Sequence, residues 1–515
     1  MKMTEKKLCL FQTKSTLNHT STQTHTEHRF FVPQETTEIQ ITFNYSPVLV
    51  DDQERQSILI EEALKYDKEL DPAEVKDVIL RNLLTISIDD PDGFRGAAHR
   101  SAGLQNIVIG EKEATAGFWK GSIQAGLWSV TVSAHAILTE MCTYELIIEG
   151  TGQFADNFDR DRIWRNYDGL ENIKANDIEY QPQYMGNAPT RWVAAELHSH
   201  TNHSDGIQSL EELASIAKQR GLEVVAVTDH NTTSPLQEKE QVEQETGIRI
   251  INGLEWTTFF GHVLTLGYKS PQYSEWRKVG PTDIHRGIRE IKALGALVGI
   301  AHPFRKGNPF CTGCYFEYMI TNLQDFDYIE VWNSDSPSLK RYNQRAFQLW
   351  TNLLNKGYHL PAVSGRDWHH NIGDNPLVAT THILVKEEST QEAFEQEMLD
   401  AIKQGRLSIS YGGPFILTAN VRGLQVQIGD CVKVEEEAVT FEVSFPDPSL
   451  WHSAIDTESL RLQLESNLGT LYSKAMRNER FSVEGSGLKW ARAELWGLID
   501  GQELLVAFTN AIYFE

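Results

Sequence analysis

Apolar and polar residues alternate along short stretches of the first third of the chain, a pattern typical of half-buried β-strands. The alternation is clear at 84–88, 126–132 and 144–148. The segment 54–83 instead carries apolar residues at helical spacing. The pattern predicts a small β-sandwich with a helical insert over residues 29–150.

From 191 to about 412 the pattern changes to short apolar strands that alternate with amphipathic helices. Ser209 and Glu212 form a capping box, and the apolar positions that follow recur at helical spacing. The strands are continuous apolar runs, such as 296–301 and 328–331, which suits burial in a parallel sheet. Repeated β-α units of this kind predict an α/β barrel or a wound sheet.

The remaining segments are assigned by composition and by renewed alternation. Residues 1–28 are rich in Thr, Ser, Lys and His and predict a flexible tail, whereas 151–190 lacks periodicity and predicts a linker. After Gly412 the helical pattern stops and short strand-like stretches recur, so 413–515 predicts a C-terminal β domain. The expected architecture is an α/β protein with a β-sandwich-like domain on each side.

The composition is that of a globular protein and excludes several classes of function. The 515 residues are 40% hydrophobic and 23% charged, with a formal net charge of −24. This charge disfavours long nucleic acids, and no stretch approaches the roughly 20 apolar residues of a membrane span. Five cysteines do not form a disulfide framework in a chain of this length, so a cytoplasmic location is expected. We therefore expect a small-molecule substrate, and the oligomeric state stays open.

Histidines are concentrated in the α/β region, where ten of the 17 lie between His198 and His370. With several carboxylates, most of them follow strand ends, where the active sites of α/β folds are found. Imidazole and carboxylate groups suit Zn, Mn or Fe. A lone strand-end histidine is usually structural, but nine such groups favour a metal site. The candidate ligands are His198, His200, Asp205, His230, Glu255, His262, His302, Asp367 and His369.

These residues, in this order and over about 170 positions, resemble the motifs of the PHP (polymerase and histidinol phosphatase) superfamily. The spacing of Glu255 and Gly261-His262, like the flanking architecture, resembles the carbaryl-hydrolase-like branch. The resemblance implies a distorted (β/α)7 barrel that holds about two to three divalent ions. It assigns one ion to His198, His200, Glu255 and Asp367, a second to Glu255, His262 and His302, and a third to Asp205, His230 and His369.

Other polar residues near these motifs are candidates for catalysis or substrate binding. Arg305 and Lys306 follow a candidate ligand and suit a phosphate or an oxyanion, with a loop salt bridge as an equal alternative. Arg366 either lines the pocket or points away. The candidate catalytic residues are His203, Arg305, Asn333 and His370, and the candidate substrate-binding residues are Arg305, Lys306, Asn333 and Arg366.

The loop 306–319 follows His302 and concentrates aromatic residues. It predicts a lid or wall over the metal site, with packing on the terminal β domain as the alternative. Cys311 and Cys314 form a single CxxC pair, which falls short of the four ligands of structural zinc. A disulfide or two free thiols is the better interpretation.

The sequence therefore predicts a metal-dependent hydrolase. The first hypothesis is hydrolysis of a small phosphate ester by a metal-bridging hydroxide. A carboxylic or carbamic ester on the same metal site is the alternative that the carbaryl-hydrolase-like resemblance permits. A hypothesis of another class is a non-catalytic, metal-stabilised binding protein, and the complete ligand set favours the enzyme.

Overall fold

The computed structural model describes residues 6–66, 72–75, 78–154, 189–268, 275–306, 313–371, 373, 376–387, 390–435, 437–445 and 448–515. Within these ranges the chain forms two antiparallel sheets near its N-terminus, one long mixed sheet, and a fourth sheet toward its C-terminus. Among the described residues, no helix combines the length and the apolar character that a bilayer crossing requires.

The N-terminal domain consists of two sheets of four strands each. Its strands are β1 (Lys6–Leu17), β2 (Thr24–Val32), β3 (Thr36–Ser46), β4 (Leu83–Asp90), β5 (Gly93–Ala98), β6 (Leu104–Gly110), β7 (Gly126–Ala136) and β8 (Cys142–Gly152). One sheet has the order β1-β8-β3-β6 and the other β2-β7-β4-β5. Alternate side chains such as Phe43 and Trp128 fill the core between them. Two helices, α1 (Gln53–Tyr66) and α2 (Pro72–Val75), lie between β3 and β4.

The structure corrects the expectation of a flexible tail over residues 1–28. β1 pairs with β8 from Lys6 to Leu17, and β2 pairs with β7 from Thr24 onward. Both strands lie at the edge of their sheets, where much of each strand stays exposed. An edge strand needs few apolar residues, and threonine is a good strand former, so the polar composition did not signal a tail.

The central region alternates strands with helices. Its strands are β9 (Thr190–Glu196), β10 (Val224–Val227), β11 (Arg249–Thr257), β12 (His262–Leu266), β13 (Leu297–Ile300), β14 (Tyr328–Asn333), β15 (Ala362–Gly365), β16 (Thr380–Lys386) and β17 (Leu407–Ser410). Its helices are α3 (Leu210–Gln219), α4 (Lys239–Thr246), α5 (Ile284–Ala293), α6 (Arg341–Asn355) and α7 (Gln391–Gln404). Of the predicted linker 151–190, residues 155–188 lie outside the described residues.

The central sheet is mixed rather than wholly parallel. β9, β10 and β11 run parallel, as do β13, β14 and β15. β12 is antiparallel to both of its neighbours, because the short connection after β11 permits only a hairpin. β16 runs antiparallel beside β9. The carboxyl ends of the parallel strands nevertheless share one edge, and the residues that follow them meet there.

The ends of this part of the sheet approach each other at β15 and β16. The hydroxyl of Thr381 accepts a hydrogen bond from Ser364 N at 3.1 Å and donates one to Ser364 O at 2.8 Å. These side-chain bonds join the two strands where the main-chain ladder stops at β15.

The C-terminal region contributes ten strands. They are β18 (Ile416–Val421), β19 (Leu424–Gln427), β20 (Cys431–Val432), β21 (Ala438–Ser444), β22 (Ile455–Ser466), β23 (Gly469–Ala475), β24 (Glu479–Glu484), β25 (Trp490–Ile499), β26 (Gln502–Thr509) and β27 (Ile512–Phe514). β26 pairs with β17, so β25, β22 and β23 continue the central sheet. The order β19-β18-β21-β24 forms a separate sheet. Trp350 of α6 packs on Phe508 of β26, so the predicted boundary near 412 does not separate two cores.

Candidate metal centre

The nine candidate ligands come together at the edge where the parallel strands end. Glu255 of β11 lies at the centre, because its two carboxylate oxygens lie within 3.4 Å of five imidazole nitrogens. Seven of the nine side chains are buried, whereas those of Asp205 and His369 are 30% and 26% exposed. The partly exposed ligands mark the side from which a small molecule can enter.

The first group of ligand atoms belongs to His198, His200, Glu255 and Asp367. The Nε2 atom of His200 lies 3.0 Å from Asp367 Oδ1, and that of His198 lies 3.3 Å from Glu255 Oε2. All four ligand atoms lie within 4.8 Å of one another. One ion with ligand distances of about 2.0–2.2 Å fits among such atoms after small adjustments. These four residues are the set that the family resemblance assigns to one ion.

Two further groups share ligands with the first. Their members are His230, Glu255 and His262 in one group, and His200, Asp205, His230 and His369 in the other. His302 lies beside the smaller group, with its Nε2 atom 3.0 Å from Glu255 Oε1. His200 and His230 each belong to two groups, whereas the assignment made from the sequence gives each of them to a single ion.

Several buried polar atoms of this cluster make no hydrogen bond to any residue that the structure describes. They are Nε2 of His198, both ring nitrogens of His200, and Oε2 of Glu255. Each of these side chains is at most 1% exposed. An unsatisfied buried polar atom costs about 1–3 kcal/mol, so four together call for a common partner. Imidazole lone pairs and carboxylate oxygens are satisfied together by a divalent cation, so the donor set fits a multinuclear site.

The electrostatics of the cluster favour the metal-binding form of Glu255, Asp205 and His200. Burial lowers the pKa of His198, but Glu330 and Glu255 outweigh burial and raise that pKa to about 10, so metal binding there would displace a proton. Burial raises the pKa of Glu255, but the imidazoles around it, His230 first, outweigh burial and hold that pKa well below its usual range. Burial likewise opposes ionisation of Asp205, yet His369 and its neighbours keep that pKa low. Burial lowers the pKa of His200 to about 3, so this ring stays neutral. Ionised carboxylates and neutral imidazoles are the forms that bind metal.

Glu330, which the sequence analysis did not single out, supports the cluster from the sheet. It is fully buried in β14, with Oε1 3.0 Å from His198 Nδ1. Its Oε2 accepts hydrogen bonds from His302 N at 2.9 Å and from Asn333 Nδ2 at 3.1 Å. A carboxylate on Nδ1 orients the ring and leaves Nε2 for the metal. The available signal was one acidic residue inside the apolar strand Tyr328–Asn333.

Two ligands have left-handed backbone conformations, with φ of 23° at His302 and 53° at Asp367. Such conformations cost a non-glycine residue on the order of 1–3 kcal/mol and persist where neighbouring contacts hold them. The bond from His302 N to Glu330 is one such contact. The backbone therefore orients these ligands at an energetic cost, as is common at functional sites.

We expect Glu330→Gln to weaken metal binding by about 10- to 100-fold, because an amide replaces the charged acceptor that orients His198. Competition with a chromogenic chelator measures the affinity. Glu397→Gln is the matched control, since Glu397 is also buried in the central domain but accepts from Lys386 N at 3.1 Å. Equal metal affinity of Glu330→Gln and the wild type would contradict the supporting role.

Arg305 and Asn333 lie at the edge of the cluster. The Arg305 guanidinium contacts the carboxylate of Asp367 and donates a hydrogen bond of 3.4 Å to Asn333 Oδ1. Its side chain is 33% exposed, so it reaches both a ligand and solvent. Asn333 is fully buried and bonds to both Arg305 and Glu330, so it links the arginine to the carboxylate behind His198, and its role as a substrate contact stays a prediction. The ammonium group of Lys306 lies 5.2 Å from the centre of the Tyr315 ring.

Two candidate histidines, His203 and His370, belong to none of the ligand groups. His203 places Nδ1 2.7 Å from Ser234 Oγ and Nε2 3.2 Å from Glu238 Oε1, so both ring nitrogens are engaged away from the ligands. His370 is exposed, and its carbonyl accepts a hydrogen bond from Trp368 Nε1. The ring of His203 is therefore engaged away from the cluster, which corrects its predicted catalytic role, whereas the catalytic role of His370 stays a prediction.

Arg366 is also turned away from the cluster, which corrects its predicted role in substrate binding. Its Nε atom lies 3.0 Å from Glu196 Oε2, and its guanidinium stacks 4.7 Å above the Trp368 ring. Glu196 in addition accepts hydrogen bonds from the main-chain N–H groups of Arg366 and His198. The arginine thus neutralises a buried acid that positions the strand end before the first ligand.

We expect Arg366→Ala to lower the free energy of unfolding by about 3–5 kcal/mol, because it leaves Glu196 buried without its cation. Solvent does not screen this pair, since its side chains are at most 5% exposed. Urea denaturation measures the change. Arg191→Ala is the control: its pair with Glu223 is 41% and 47% exposed, so the loss should stay under about 1 kcal/mol. Wild-type stability in Arg366→Ala would contradict this structural role.

The described part of the aromatic loop packs on the central domain rather than on the terminal β domain. Tyr318 is buried, and its hydroxyl forms a 2.5 Å hydrogen bond to the turn between β11 and β12. The carbonyl oxygen of Cys314 lies 3.2 Å from His302 Nδ1. This segment therefore forms a wall beside His302 and the ligand group of His230, Glu255 and His262. Residues 307–312, Cys311 among them, lie outside the described residues.

The family model of the PHP domain matches residues 196–302, which carry seven of the nine ligands. An uncharacterized protein of Methanocaldococcus jannaschii is 30% identical over 159 residues, which are 28% of this chain and 82% of that protein. The chain belongs to the PHP domain family. Its fold and cluster are thus those of a mixed α/β PHP protein with additional antiparallel sheets on both sides.

Other relatives match over shorter or more distant stretches. The phosphoribosyl 1,2-cyclic phosphate 1,2-diphosphodiesterase of Eggerthella lenta is 33% identical over 109 residues, which are 20% of this chain and 42% of that enzyme. A solved two-domain protein of Bacteroides vulgatus, containing a predicted PHP-like metal-dependent phosphoesterase, is 16% identical. The match covers 65% of this chain and 100% of that structure, with a TM-score of 0.36.

Proposed function

We propose that this chain is a metal-dependent phosphoesterase that hydrolyses a small phosphate ester. The observation that carries the proposal is a set of three ligand groups linked by the shared residues His200, His230 and Glu255, with buried ligand atoms that make no hydrogen bond to the described residues. Divalent ions held there would lower the pKa of a water molecule and neutralise charge on the ester. The protein's own contribution is to keep Glu255 and Asp205 ionised and to keep the cluster largely buried.

The charge of the ligand set favours a phosphate ester over a neutral ester. The set contains three carboxylates, those of Asp205, Glu255 and Asp367, while its imidazoles bind metal as neutral groups. Three negative charges offset only part of the charge of two or three divalent ions. The negative charge of Glu330 and the positive charge of Arg305, both beside the ligand set, cancel, so the metal-loaded site keeps a net positive charge. Excess positive charge in a buried site binds an anion, whereas a carboxylic or carbamic ester gains less from it.

Arg305 supports the same choice. It is a partly exposed cation in contact with a ligand carboxylate, and a guanidinium binds phosphate oxygens through paired hydrogen bonds. The name of the Eggerthella lenta relative, a diphosphodiesterase acting on a cyclic phosphate, is consistent with phosphate-ester chemistry on this domain. The spacing of Glu255 and His262 supports membership of the carbaryl-hydrolase-like branch. Carboxylic and carbamic esters are therefore the alternative substrates to test.

We extend the proposal to the fold of the central domain, the size of the substrate and the location of the enzyme. The side-chain bonds between β15 and β16 support a distorted (β/α)7 barrel with its seam at these strands. The net charge of −24 supports a small-molecule substrate rather than a long nucleic acid, and the cysteine content supports a cytoplasmic enzyme.

A chromogenic screen tests the function. Protein reconstituted separately with Mn, Zn and Fe is assayed with p-nitrophenyl phosphate, bis(p-nitrophenyl) phosphate, p-nitrophenyl acetate and a naphthyl carbamate. We expect metal-dependent turnover of a phosphate ester and little of the others. Turnover of the acetate or carbamate alone would move the function to the alternative hydrolase. Bound metal without any turnover would favour the binding protein.

A further inference from the structure

His99 belongs to the N-terminal domain, yet its ring contacts the metal-ligand cluster. It directly follows β5, and its ring centre lies 4.4 Å from that of His230, a member of two ligand groups. On its other side His135 of β7 packs edge-on at 4.9 Å. The carboxylate of Asp205 is near enough to act on the ring electrostatically. The N-terminal domain therefore forms part of the wall of the site.

The segment that carries His99 is fastened to a ligand-bearing loop. The guanidinium of Arg100 donates to the carbonyl of Asn202 at 3.0 Å and to that of Ser204 at 3.2 Å. Both carbonyls precede the ligand Asp205 in the chain. These bonds fix the distance between the N-terminal domain and the cluster, so the His99 ring has a defined place beside the ligands.

The ring of His99 lies beside the ligands without a hydrogen bond to the described residues. Its side chain is buried, at 9% exposure, and its ring nitrogens make no hydrogen bond to the residues that the structure describes. None of the three ligand groups includes it. An imidazole outside the ligand groups, with no hydrogen bond to the described residues, has a ring N–H that can bond to a molecule bound at the cluster. Its position next to the ligands, but outside their groups, is that of a residue that contacts a bound molecule.

We propose that His99 is a substrate-binding residue whose ring N–H donates a hydrogen bond to an oxygen of the bound phosphate group. The inference rests on the proposed function and deepens it. A hydrogen bond to an anionic oxygen is stronger than one between neutral groups, and burial strengthens it further. Arg305 contacts the ligand Asp367, and His99 contacts the ligand His230. Because the two residues lie beside different ligands, each would bind the phosphate group from its own position in the wall of the site. The N-terminal domain thereby takes part in binding the substrate.

Calorimetric titration with inorganic phosphate tests this role without relying on turnover. The full chain is reconstituted with manganese as wild type, His99→Ala and His99→Gln. We expect the alanine variant to bind phosphate at least about tenfold more weakly. The glutamine variant, whose amide also donates, should stay within about threefold of the wild type. His28→Ala is the control, because His28 bonds to Tyr144 within the same domain.

The metal content of each variant, determined by elemental analysis, separates this role from the others. We expect the wild-type content in all of them. Loss of an ion from His99→Ala would make His99 a ligand and overturn the proposal. Wild-type phosphate affinity in His99→Ala would overturn it as well, whatever the melting temperature. A wild-type protein that binds phosphate but hydrolyses no ester would contradict the proposed function and leave the contact with His99 standing.

Discussion

His200→Ala and Asp367→Ala should each lower kcat/KM for the best phosphate ester by at least about a thousandfold, roughly 4 kcal/mol at 25 °C. Both residues belong to the group that also contains His198 and Glu255, so removing either opens the coordination of the same ion. The fold should persist, because the long sheet that carries these residues does not depend on them. Steady-state kinetics on the metal-loaded variants, with circular dichroism for the fold, measures both effects.

His382→Ala is the matched control for the loss of a buried histidine. His382 is 6% exposed, like the ligands, but its Nε2 atom lies 2.9 Å from the Gly412 carbonyl, far from the ligand groups. Its replacement should cost stability and leave kcat/KM per folded molecule close to that of the wild type. If His200→Ala or Asp367→Ala kept more than about a tenth of the activity, under about 1.4 kcal/mol lost, the active site would lie elsewhere.

Removal of the metal by a chelator should abolish hydrolysis and lower the melting temperature by about 5–10 °C. A ligand present at 100 times its Kd stabilises the folded state by about 2.7 kcal/mol, and each kcal/mol shifts the melting temperature of a domain of this size by about 2–4 °C. The structural reason is that His198, His200 and Glu255 would be left with buried atoms that make no hydrogen bond to the described residues. Differential scanning calorimetry before and after dialysis measures the shift.

Readdition of manganese or zinc should restore both properties, and elemental analysis should then find about two to three ions per chain. Readdition of magnesium is the control, since Mg²⁺ prefers oxygen ligands and binds imidazole poorly. Less than one ion per chain after reconstitution would contradict a multinuclear site. An unchanged melting temperature on complete removal of metal would show that the buried ligand atoms need no cation.

The ligand set could be predicted because its signal is local. His198 and His200 end one apolar strand, His302 follows another, and parallel strands bring their carboxyl ends to one edge regardless of the remaining details. The residue types then indicate metal binding, since a cluster of imidazoles and carboxylates at that edge has few other roles. The same argument failed for His203, because adjacency to a ligand does not determine where a side chain points.

The fold was predictable where the apolar pattern of a strand or helix shows which of its faces is buried. The amphipathic α3, with its capping box at Ser209, is one case. The edge strands β1 and β2 were not, because main-chain pairing with β8 and β7, rather than apolar side chains, holds them in place. The continuation of the central sheet from β17 into β26 was missed for a related reason, since residues far apart in the chain pair there.

The sequence by itself determined the class of the protein, the alternation of strands and helices in its centre, and nine ligands suited to divalent metal. Only the tertiary structure decided which residues surround them. Glu330 was placed behind His198, Arg366 was paired with Glu196, and His99 was brought from another domain to the His230 ring. The physical reason is that periodicity and residue type report burial and chemistry along one strand, whereas contacts between distant segments depend on the packing of the whole chain.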